Sequence, residues 1–302
     1  MKQHTLRKSY SFEGKGLHTG HYGRMTVCPS DADTGIVFVR KDLPGEPVIE
    51  ALAENISNTA RSTTISQGEA SAITIEHILS ALSGLGVDNA RIELESDEVP
   101  ILDGSARLYV EAIAPDGLQE QDATRHYVEP PRTIEVSDPV SGAFVRIEPA
   151  AKPSIDLTVD FNSRVLGVQK AHWDESTDYA SQIGKCRTFV FFHEIAFLAQ
   201  KGLVKGGDVD NAIVIVEHPV SEQQVEEVCT LLSRPKMSVT SDGYLSNLAL
   251  RFPDECGRHK LLDLIGDLRL SGGILRAKVT AFKSGHTINS LATKAIREAV
   301  KK

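Results

Sequence analysis

Cysteine and basic charge are both scarce in this sequence. Four cysteines occur among the 302 residues, at positions 28, 186, 229 and 256, and no two of them form a C-x-x-C pair. This spacing argues against a disulfide framework and against a thiolate metal site. The 33 lysines and arginines are outnumbered by 41 aspartates and glutamates, which leaves a net charge of −8. Because nucleic-acid-binding proteins are normally basic, we expect no nucleic-acid partner.

Long apolar runs and nucleotide-binding loops are also missing. No stretch approaches the roughly 18 apolar residues of a membrane-spanning helix, and the start, MKQHTLRKSYSFEG, lacks the apolar core of a signal peptide. The segment GKGLHTG (14–20) has glycines in neither the G-x-G-x-x-G nor the G-x-x-x-x-G-K-S/T order. We therefore expect a cytoplasmic protein with no transmembrane segment and no nucleotide-cofactor fold.

The two halves of the chain repeat a weak pattern of strands and helices. Residues 24–39 and 145–161 each show two alternating apolar stretches around a proline-marked turn, which is typical of a hairpin. Residues 74–95 and 258–282 each show the pattern of a helix, a glycine-rich turn and a strand. The repeat predicts two α+β domains of the same plan.

A Pro-Pro pair in RHYVEPPRTIEV (125–136) is the best candidate for the linker between these domains. We therefore predict a first domain over residues 1–126 and a second over residues 127–302. The second is longer, partly because a strand, a helix, a Gly-Gly turn and a strand follow one another over about residues 186–216. This order predicts a βαβ insert.

A further helix is predicted behind the insert. In SEQQVEEVCTLLSRP (221–235), Ser221 and Gln224 have the spacing of a capping box, which marks the start of a helix. The sequence assigns no role to the surrounding stretch, residues 217–256.

The segment RHKLLDLIGDL (258–268) combines the pattern of a core helix with three acidic or imidazole side chains. Its apolar residues fall on one side, whereas His259, Asp263 and Asp267 fall on the other, at i, i+4 and i+8. Such a face is either a charged surface in contact with water or a metal site, because side chains at i and i+4 can hold one ion. The segment alone leaves both interpretations open.

A second helix, TIEHILSALSGLG, carries Glu76 and His77 beside a clear apolar stripe. Glu76 could simply complement the helix dipole, with His77 half-buried at the surface. Alternatively, one of the two binds a metal while its neighbour takes a proton from water. His77 and His259 occupy corresponding places in the two halves. If the halves pack pseudo-symmetrically, His77, His259 and Asp263 form a three-ligand site of the catalytic zinc type.

Other polar and apolar residues have two interpretations each. His286, after a strand-like run, is either a loop histidine or a general acid or base. Thr188 either packs within a strand or donates to a developing oxyanion. The apolar residues of the insert form either ordinary core or a hydrophobic slot: Ile195, Leu198, Val204 and Val209.

Seven motifs resemble those of one enzyme family and follow one another in the same order. GLHTG, TIEHILSALSGLGVDN, VPILDGSA, CRTF, KGLVKGG, RHKLLDLIGDL and KSGH are similar to the motifs of the UDP-3-O-acyl-N-acetylglucosamine deacetylases of lipid A biosynthesis. The resemblance implies two layered β-α-α-β sandwiches with the active site between them. It also implies zinc-dependent hydrolysis of the N-acetyl group of UDP-3-O-(3-hydroxyacyl)-N-acetylglucosamine, which releases acetate in the committed step of lipid A biosynthesis.

The same resemblance implies roles for single residues. One Zn²⁺ ion would be held by His77, His259 and Asp263. The catalytic residues would be Glu76 as the base that activates water, Thr188 and Lys260 as groups that assist the oxyanion and the substrate, and His286, oriented by Asp267, as the acid that protonates the leaving amine. The insert would form the passage for the acyl chain. The implied substrate-binding residues are Leu17, His18, Asp160, Phe161, Phe189, Ile195, Leu198, Val204, Gly207, Val209 and Val214.

Two further points concern the partners. This chain has Glu148 where some relatives have a lysine that meets the substrate phosphates. In some lineages the family is fused to a C-terminal hydroxyacyl carrier-protein dehydratase, so the chain can be one part of a longer polypeptide.

Two other classes of protein remain open at this stage. In one, zinc only joins the two domains and no turnover occurs. In the other, Glu76 and Asp263 act as the two carboxylates of a glycosidase, whose activity would survive chelators. Metal content and chelator sensitivity separate all three classes.

Overall fold

The computed structural model describes residues 1–200, 205–207 and 210–301, with the backbone alone at residues 198–200. The first half contains β1 (Lys2–Leu6), β2 (Tyr10–Lys15), β3 (Tyr22–Pro29), β4 (Ile36–Arg40), β5 (Val48–Glu50), β6 (Ile56–Asn58), β7 (Thr64–Gln67), β8 (Ala70–Ile73), α1 (Glu76–Leu85), β9 (Ala90–Leu94), α2 (Arg107–Ile113) and β10 (Leu118–Thr124). The second half contains β11 (Tyr127–Val128), β12 (Ile134–Ser137), β13 (Phe144–Pro149), β14 (Ser154–Asp160), β15 (Val168–Asp174), α3 (Tyr179–Gln182), β16 (Phe189–Phe191), α4 (Phe192–Gln200), β17 (Ile213–Ile215), α5 (Glu222–Leu231), α6 (Glu255–Leu268), β18 (Ile274–Leu275), β19 (Ala277–Phe282) and α7 (His286–Val300).

Each half builds a five-stranded mixed sheet with the same strand order and directions. In the first half the order is β2–β3–β9–β4–β5, with β9 antiparallel to β3 and parallel to β4. In the second half it is β12–β13–β19–β14–β15, with β19 antiparallel to β13 and parallel to β14. The predicted α+β fold with two similar halves is confirmed. The boundary between residues 126 and 127 stays a prediction.

The two hairpins predicted from the repeat are wrong in their pairing. Strands β3 and β4 do form at residues 24–39, but β9 lies between them in the sheet, and β19 likewise separates β13 from β14. The reason is the helix that precedes β9 and β19, because its crossover returns the chain into the middle of the sheet. Alternating apolar residues predict a strand but carry no information on its neighbour.

Helices α1 and α6 pack against each other at the centre of the molecule. The apolar faces of both helices belong to one continuous core that also includes residues of both sheets. They are in close contact at Gly266, where a Cβ atom would overlap the backbone of Glu76. Glycine therefore allows the first turn of α1 to lie directly on α6.

The insert and α5 pack around an apolar cluster that is distinct from the main core. Strands β16 and β17 pair in parallel with α4 between them, which is the predicted βαβ unit. Helix α5 begins at the predicted capping box of Ser221 and Gln224. Of the helices in the described ranges, none combines the length and the apolar character needed to cross a membrane.

The helix contact at Gly266 predicts a stability effect. Alanine is normally better than glycine inside a helix by about 1 kcal/mol. At Gly266 the added methyl group meets backbone that cannot move aside, and overpacking of this kind costs about 1–3 kcal/mol. We expect Gly266→Ala to lower the melting temperature by several degrees, as measured by differential scanning calorimetry.

The matched control is Gly14→Ala in β2. An added Cβ at Gly14 meets its nearest neighbour, a Pro100 carbon, at 3.4 Å, which is an ordinary contact. A Gly266→Ala protein as stable as the Gly14→Ala protein would contradict the close helix contact.

Candidate metal centre and active site

Two helices bring three potential metal ligands together. His77 lies in the first turn of α1, and His259 and Asp263 lie one turn apart on α6; each is at most 4% exposed. Their ligand atoms all lie within 4.8 Å of one another. The Nε2 atoms of His77 and His259 are 3.6 and 3.3 Å from Asp263 Oδ1. The face of α6 that carries Asp263 is therefore buried, and the charged-surface interpretation of this face is wrong.

The donor set fits a divalent metal ion. Asp263 Oδ1 is buried and has no hydrogen-bond partner within the described part of the chain. Such an acceptor is costly to bury unless a cation satisfies it. Two imidazole nitrogens and one carboxylate oxygen are the ligands of catalytic zinc sites that leave a fourth position open.

Neighbouring groups prepare these side chains for metal binding. Burial lowers the pKa of His259 to about 4, so the ring is neutral, as a ligand must be. His259 Nδ1 donates to the Cys186 carbonyl oxygen at 3.1 Å, which leaves Nε2 free to face Asp263. Burial alone would raise the pKa of Asp263, but the neighbouring His259 side chain and the Lys260 ammonium hold that pKa well below its usual range.

Glu76 lies next to the His–His–Asp group and is not one of its three members. It is the first residue of α1 and is 3% exposed. Its Oε2 accepts a hydrogen bond from the Thr63 backbone N–H at 3.1 Å. Burial raises the pKa of Glu76, although His286 and His77 oppose that shift. A carboxylate with a raised pKa is suited to accept and return a proton near neutral pH.

The sequence suggested that His286 lies in a loop. In the structure it is instead the first residue of α7, shortly after β19. Its Nε2 is 3.9 Å from both Glu76 Oε1 and Asp263 Oδ2. Its Nδ1 is 3.0 Å from Asp267 Oδ2. Burial would lower the pKa of His286, but the charges of Asp267 and Glu76 raise it to about 9. The ring is therefore held as a cation that faces Glu76.

Asp267 is itself fixed by two other side chains. Thr63 donates to its Oδ1 at 2.6 Å and Asn289 donates to its Oδ2 at 2.9 Å. Neither residue was singled out from the sequence, because isolated threonines and asparagines carry no spacing signal. Together they hold the carboxylate that orients His286.

Lys260 and Thr188 line the same cavity as the His–His–Asp group. The Lys260 ammonium donates to Asp263 Oδ2 at 2.7 Å, and its side chain is 12% exposed. The Thr188 backbone N–H donates to the Gly104 carbonyl oxygen at 2.8 Å, which ties the insert to the first half.

The three potential metal ligands line one cavity of about 720 Å³ together with Glu76, Thr188, Lys260 and His286, whereas Asp267 is not part of its lining. Six of the predicted substrate-binding residues also line it: Leu17, His18, Phe161, Phe189, Ile195 and Gly207. Val214 and Asp160 do not. Val214 is 1% exposed in the core of the insert, and Asp160 lies 3.4 Å from Lys283 in an ion pair. Val204, Val209 and the side chain of Leu198 lie outside the described residues.

One residue that sequence reasoning missed organises the loop with His18. Glu98 is 1% exposed and its carboxylate accepts hydrogen bonds from the backbone N–H groups of His18 and Thr19, at 3.0 and 2.8 Å, and from the Thr74 hydroxyl at 2.6 Å. It precedes the VPILDGSA motif, so its presence beside that motif was a usable signal.

A buried ion pair joins the insert to α6. Arg187 donates to both carboxylate oxygens of Glu255, at 2.8 and 3.0 Å, and Glu255 is the first residue of α6. Arg187 directly precedes Thr188, so the pair fixes Thr188 relative to the helix that carries His259. The CRTF motif contained this arginine, but its distant partner could not be read from spacing.

A buried His–His–Asp group with a carboxylate and an imidazolium beside it, in a cleft between two α+β halves, defines the class of metal-dependent hydrolases. Comparison with known proteins gives the family. The model for the family "UDP-3-O-acyl N-acetylglycosamine deacetylase" matches residues 3–228 and 235–298, and the chain belongs to this family. The resemblance predicted from the motifs, and with it the assignment to a family of hydrolases, is confirmed.

Relatives from several bacteria match almost the whole chain. A bifunctional enzyme LpxC/FabZ of Porphyromonas gingivalis is 41% identical over 300 residues, which are 99% of this chain and 65% of that protein. A UDP-3-O-acyl-N-acetylglucosamine deacetylase of Trichormus variabilis is 38% identical, with 96% of each chain covered. One from Helicobacter hepaticus is also 38% identical, with 98% of this chain and 90% of that protein covered. This chain thus spans slightly less than two thirds of the bifunctional relative.

The three ligands predict a metal-binding defect in their variants. A site with three protein ligands cannot lose one without a large fall in affinity, on the order of 10² or more, since even outer-shell changes cost 10–100-fold. We expect His77→Ala, His259→Ala and Asp263→Ala each to lose bound zinc on dialysis, as measured by mass spectrometry of the metal.

The control is His172→Ala. His172 also lies between two carboxylates, 2.8 Å from Asp156 and 3.3 Å from Asp174, but on the exposed surface. It should keep the zinc content of the unchanged protein. Full zinc occupancy in Asp263→Ala would show that the metal binds elsewhere.

Proposed function

We propose that this chain is a zinc-dependent amidohydrolase. It would remove the N-acetyl group of UDP-3-O-(3-hydroxyacyl)-N-acetylglucosamine and release acetate, a step of lipid A biosynthesis. The observation that carries the proposal is the convergence of a His–His–Asp group, a buried carboxylate and a buried imidazolium on one cavity. The names of the relatives support the identity of the substrate.

The first chemical need is a nucleophile. Zinc held by His77, His259 and Asp263 would polarise the amide carbonyl and lower the pKa of water toward 7. Glu76 is the base that takes the proton from the attacking water. Its position next to His77 and its hydrogen bond from Thr63 aim the carboxylate at the space in front of the ligands.

The second need is a proton for the leaving amine, since an amide nitrogen does not leave as an anion. His286 is the proposed acid. Its Nε2 faces the same space as Glu76, at 3.9 Å from the Glu76 carboxylate, and Asp267 holds Nδ1. In the competing one-residue mechanism, Glu76 returns the proton that it took from water and His286 only contributes charge.

The third need is stabilisation of the oxyanion. Lys260 and Thr188 lie on the wall of the cavity beside the ligands. The Lys260 ammonium is fixed by Asp263, so its charge is in place before the substrate arrives. The Thr188 hydroxyl adds a donor on the side of the insert. The apolar residues of the insert would then receive the acyl chain.

Several predictions on partners and location stay predictions. They are the fusion to a C-terminal dehydratase, the cytoplasmic location and the lack of a nucleic-acid partner. The bifunctional relatives support the first of these by their names alone.

The function is tested by acetate release from the proposed substrate. We expect the purified chain to release acetate, a chelator to abolish the release, and added zinc to restore it. Glu76→Gln should lower kcat by a factor on the order of 10² or more because the base is lost, and it should keep its zinc. Acetate release that survives complete removal of metal would overturn the proposal. Loss of zinc in Glu76→Gln would make Glu76 a ligand.

The two-residue proton transfer predicts a change in pH dependence. The alkaline limb of the activity profile should report loss of the proton from His286. Asp267→Asn removes a negative charge beside the imidazolium, which lowers the pKa of His286, so the limb should move to lower pH. His286→Ala should lose most of its activity and the limb itself while it retains zinc.

Asp174→Asn is the control for this experiment. Asp174 accompanies a histidine in the same way, 3.3 Å from His172, but neither residue lines the cavity. Its profile should match that of the unchanged protein. If His286→Ala keeps both the rate and the alkaline limb, Glu76 works alone.

A further inference from the structure

We propose that Leu232, at the end of helix α5, is the wall against which the end of the substrate's acyl chain stops, and that it thereby sets the accepted chain length. The inference rests on the proposed function. It gives a role to residues 217–256, for which the sequence indicated none.

Leu232 reaches the active-site cavity from a distant part of the fold. It directly follows α5, and among the described residues it is the one member of residues 217–256 that lines the cavity. The same cavity holds His77, His259 and Asp263. A helix outside the two sheets therefore contributes to the wall of the site.

The residues around Leu232 are suited to bind an alkyl chain rather than a polar ligand. The cavity wall on this side also includes Val190, Ile195 and Ala212, all of them from the insert. Leu232, Val190 and Ile195 pack partly buried against one apolar cluster. The His–His–Asp group and several charged side chains line the same cavity. A substrate with its amide at the metal group would therefore direct an apolar chain toward Leu232.

Helix α5 is fixed in place, as a wall must be. Its buried residues Val225, Val228 and Cys229 belong to the same cluster as Phe192 of α4 and Val214 of β17. At its start, the Ser221–Gln224 capping box closes the first turn.

Hydrogen bonds and an ion pair also hold the residues that follow the end of α5. The backbone N–H of Ser233 donates to the Thr230 carbonyl oxygen at 3.0 Å, and the backbone N–H of Arg234 donates to the Cys229 carbonyl oxygen at 2.8 Å. The Arg234 guanidinium lies 3.4 Å from Asp210 of the insert. These contacts hold the backbone of the turn that carries Leu232. The position of the Leu232 side chain is therefore fixed by the turn as well as by its own packing.

The test measures kcat/KM on a series of UDP-N-acetylglucosamines with 3-O-acyl chains of increasing length. Each methylene that is buried contributes about fourfold in binding. In Leu232→Trp, we expect normal rates with short chains and a loss of about fourfold for each methylene beyond the point at which the chain meets the wall. In Leu232→Ala, the preference should extend to longer chains. Leu232→Phe repeats the test if the tryptophan variant does not fold.

The matched controls are Leu231→Ala and Leu231→Trp. Leu231 is the neighbouring residue, 54% exposed, and does not line the cavity. Its variants should keep the original length profile. An equal loss for all chain lengths in the Leu232 variants, or no change in profile, would overturn the inference and leave the function intact. Failure of the unchanged protein to release acetate from any member of the series would instead refute the proposed function.

Discussion

The contact of α1 with α6 is the constraint on which the rest of the site depends. Gly266 lets the backbone of Glu76 lie directly on α6. This contact sets the first turn of α1, with Glu76 and His77, opposite the middle of α6, with Asp263. The core that holds the two helices together runs through both halves of the molecule. The geometry of the ligands is thus a property of the whole fold and not of either half alone.

The second constraint is the burial of charge. Three carboxylates, those of Glu76, Asp263 and Asp267, are at most 3% exposed, and the cations beside them are Lys260 and His286. An imidazole binds a metal in its neutral form, so with His77 and His259 as ligands the three carboxylates would exceed the two cations by one negative charge. Buried ions destabilise a fold unless partners compensate for lost hydration. A divalent cation at the His–His–Asp group would provide that compensation, so metal binding and the stability of this cleft should be coupled.

Sequence reasoning could predict the parts of the site that follow a helical period or a repeat. His259 and Asp263 are one turn apart, and the corresponding place of His77 in the first half identified the third member of the His–His–Asp group. The pairing of β3 with β4 was wrong because strand neighbours are decided by the crossover that places β9 between them. Glu98, and the partnership of Arg187 with Glu255, were missed because single polar residues with distant partners leave no periodic signal. Leu232 was missed because a wall residue differs from a core leucine only in three dimensions.

The repeat also explains why one site exists where the pseudo-symmetry of the fold would allow two. Helices α1 and α6 each carry glycine seven residues after the histidine, at Gly84 and Gly266. Gly266 accepts the backbone of α1, whereas the space beside Gly84 is filled by the ring of Tyr179, whose hydroxyl lies 2.7 Å from Ser80. At the place of Asp263, α1 has alanine. In the proposed mechanism, α1 would therefore contribute one ligand and the base, and α6 would contribute two ligands and the residue that orients the acid. Because the two sets are complementary, neither half could perform the proposed reaction alone.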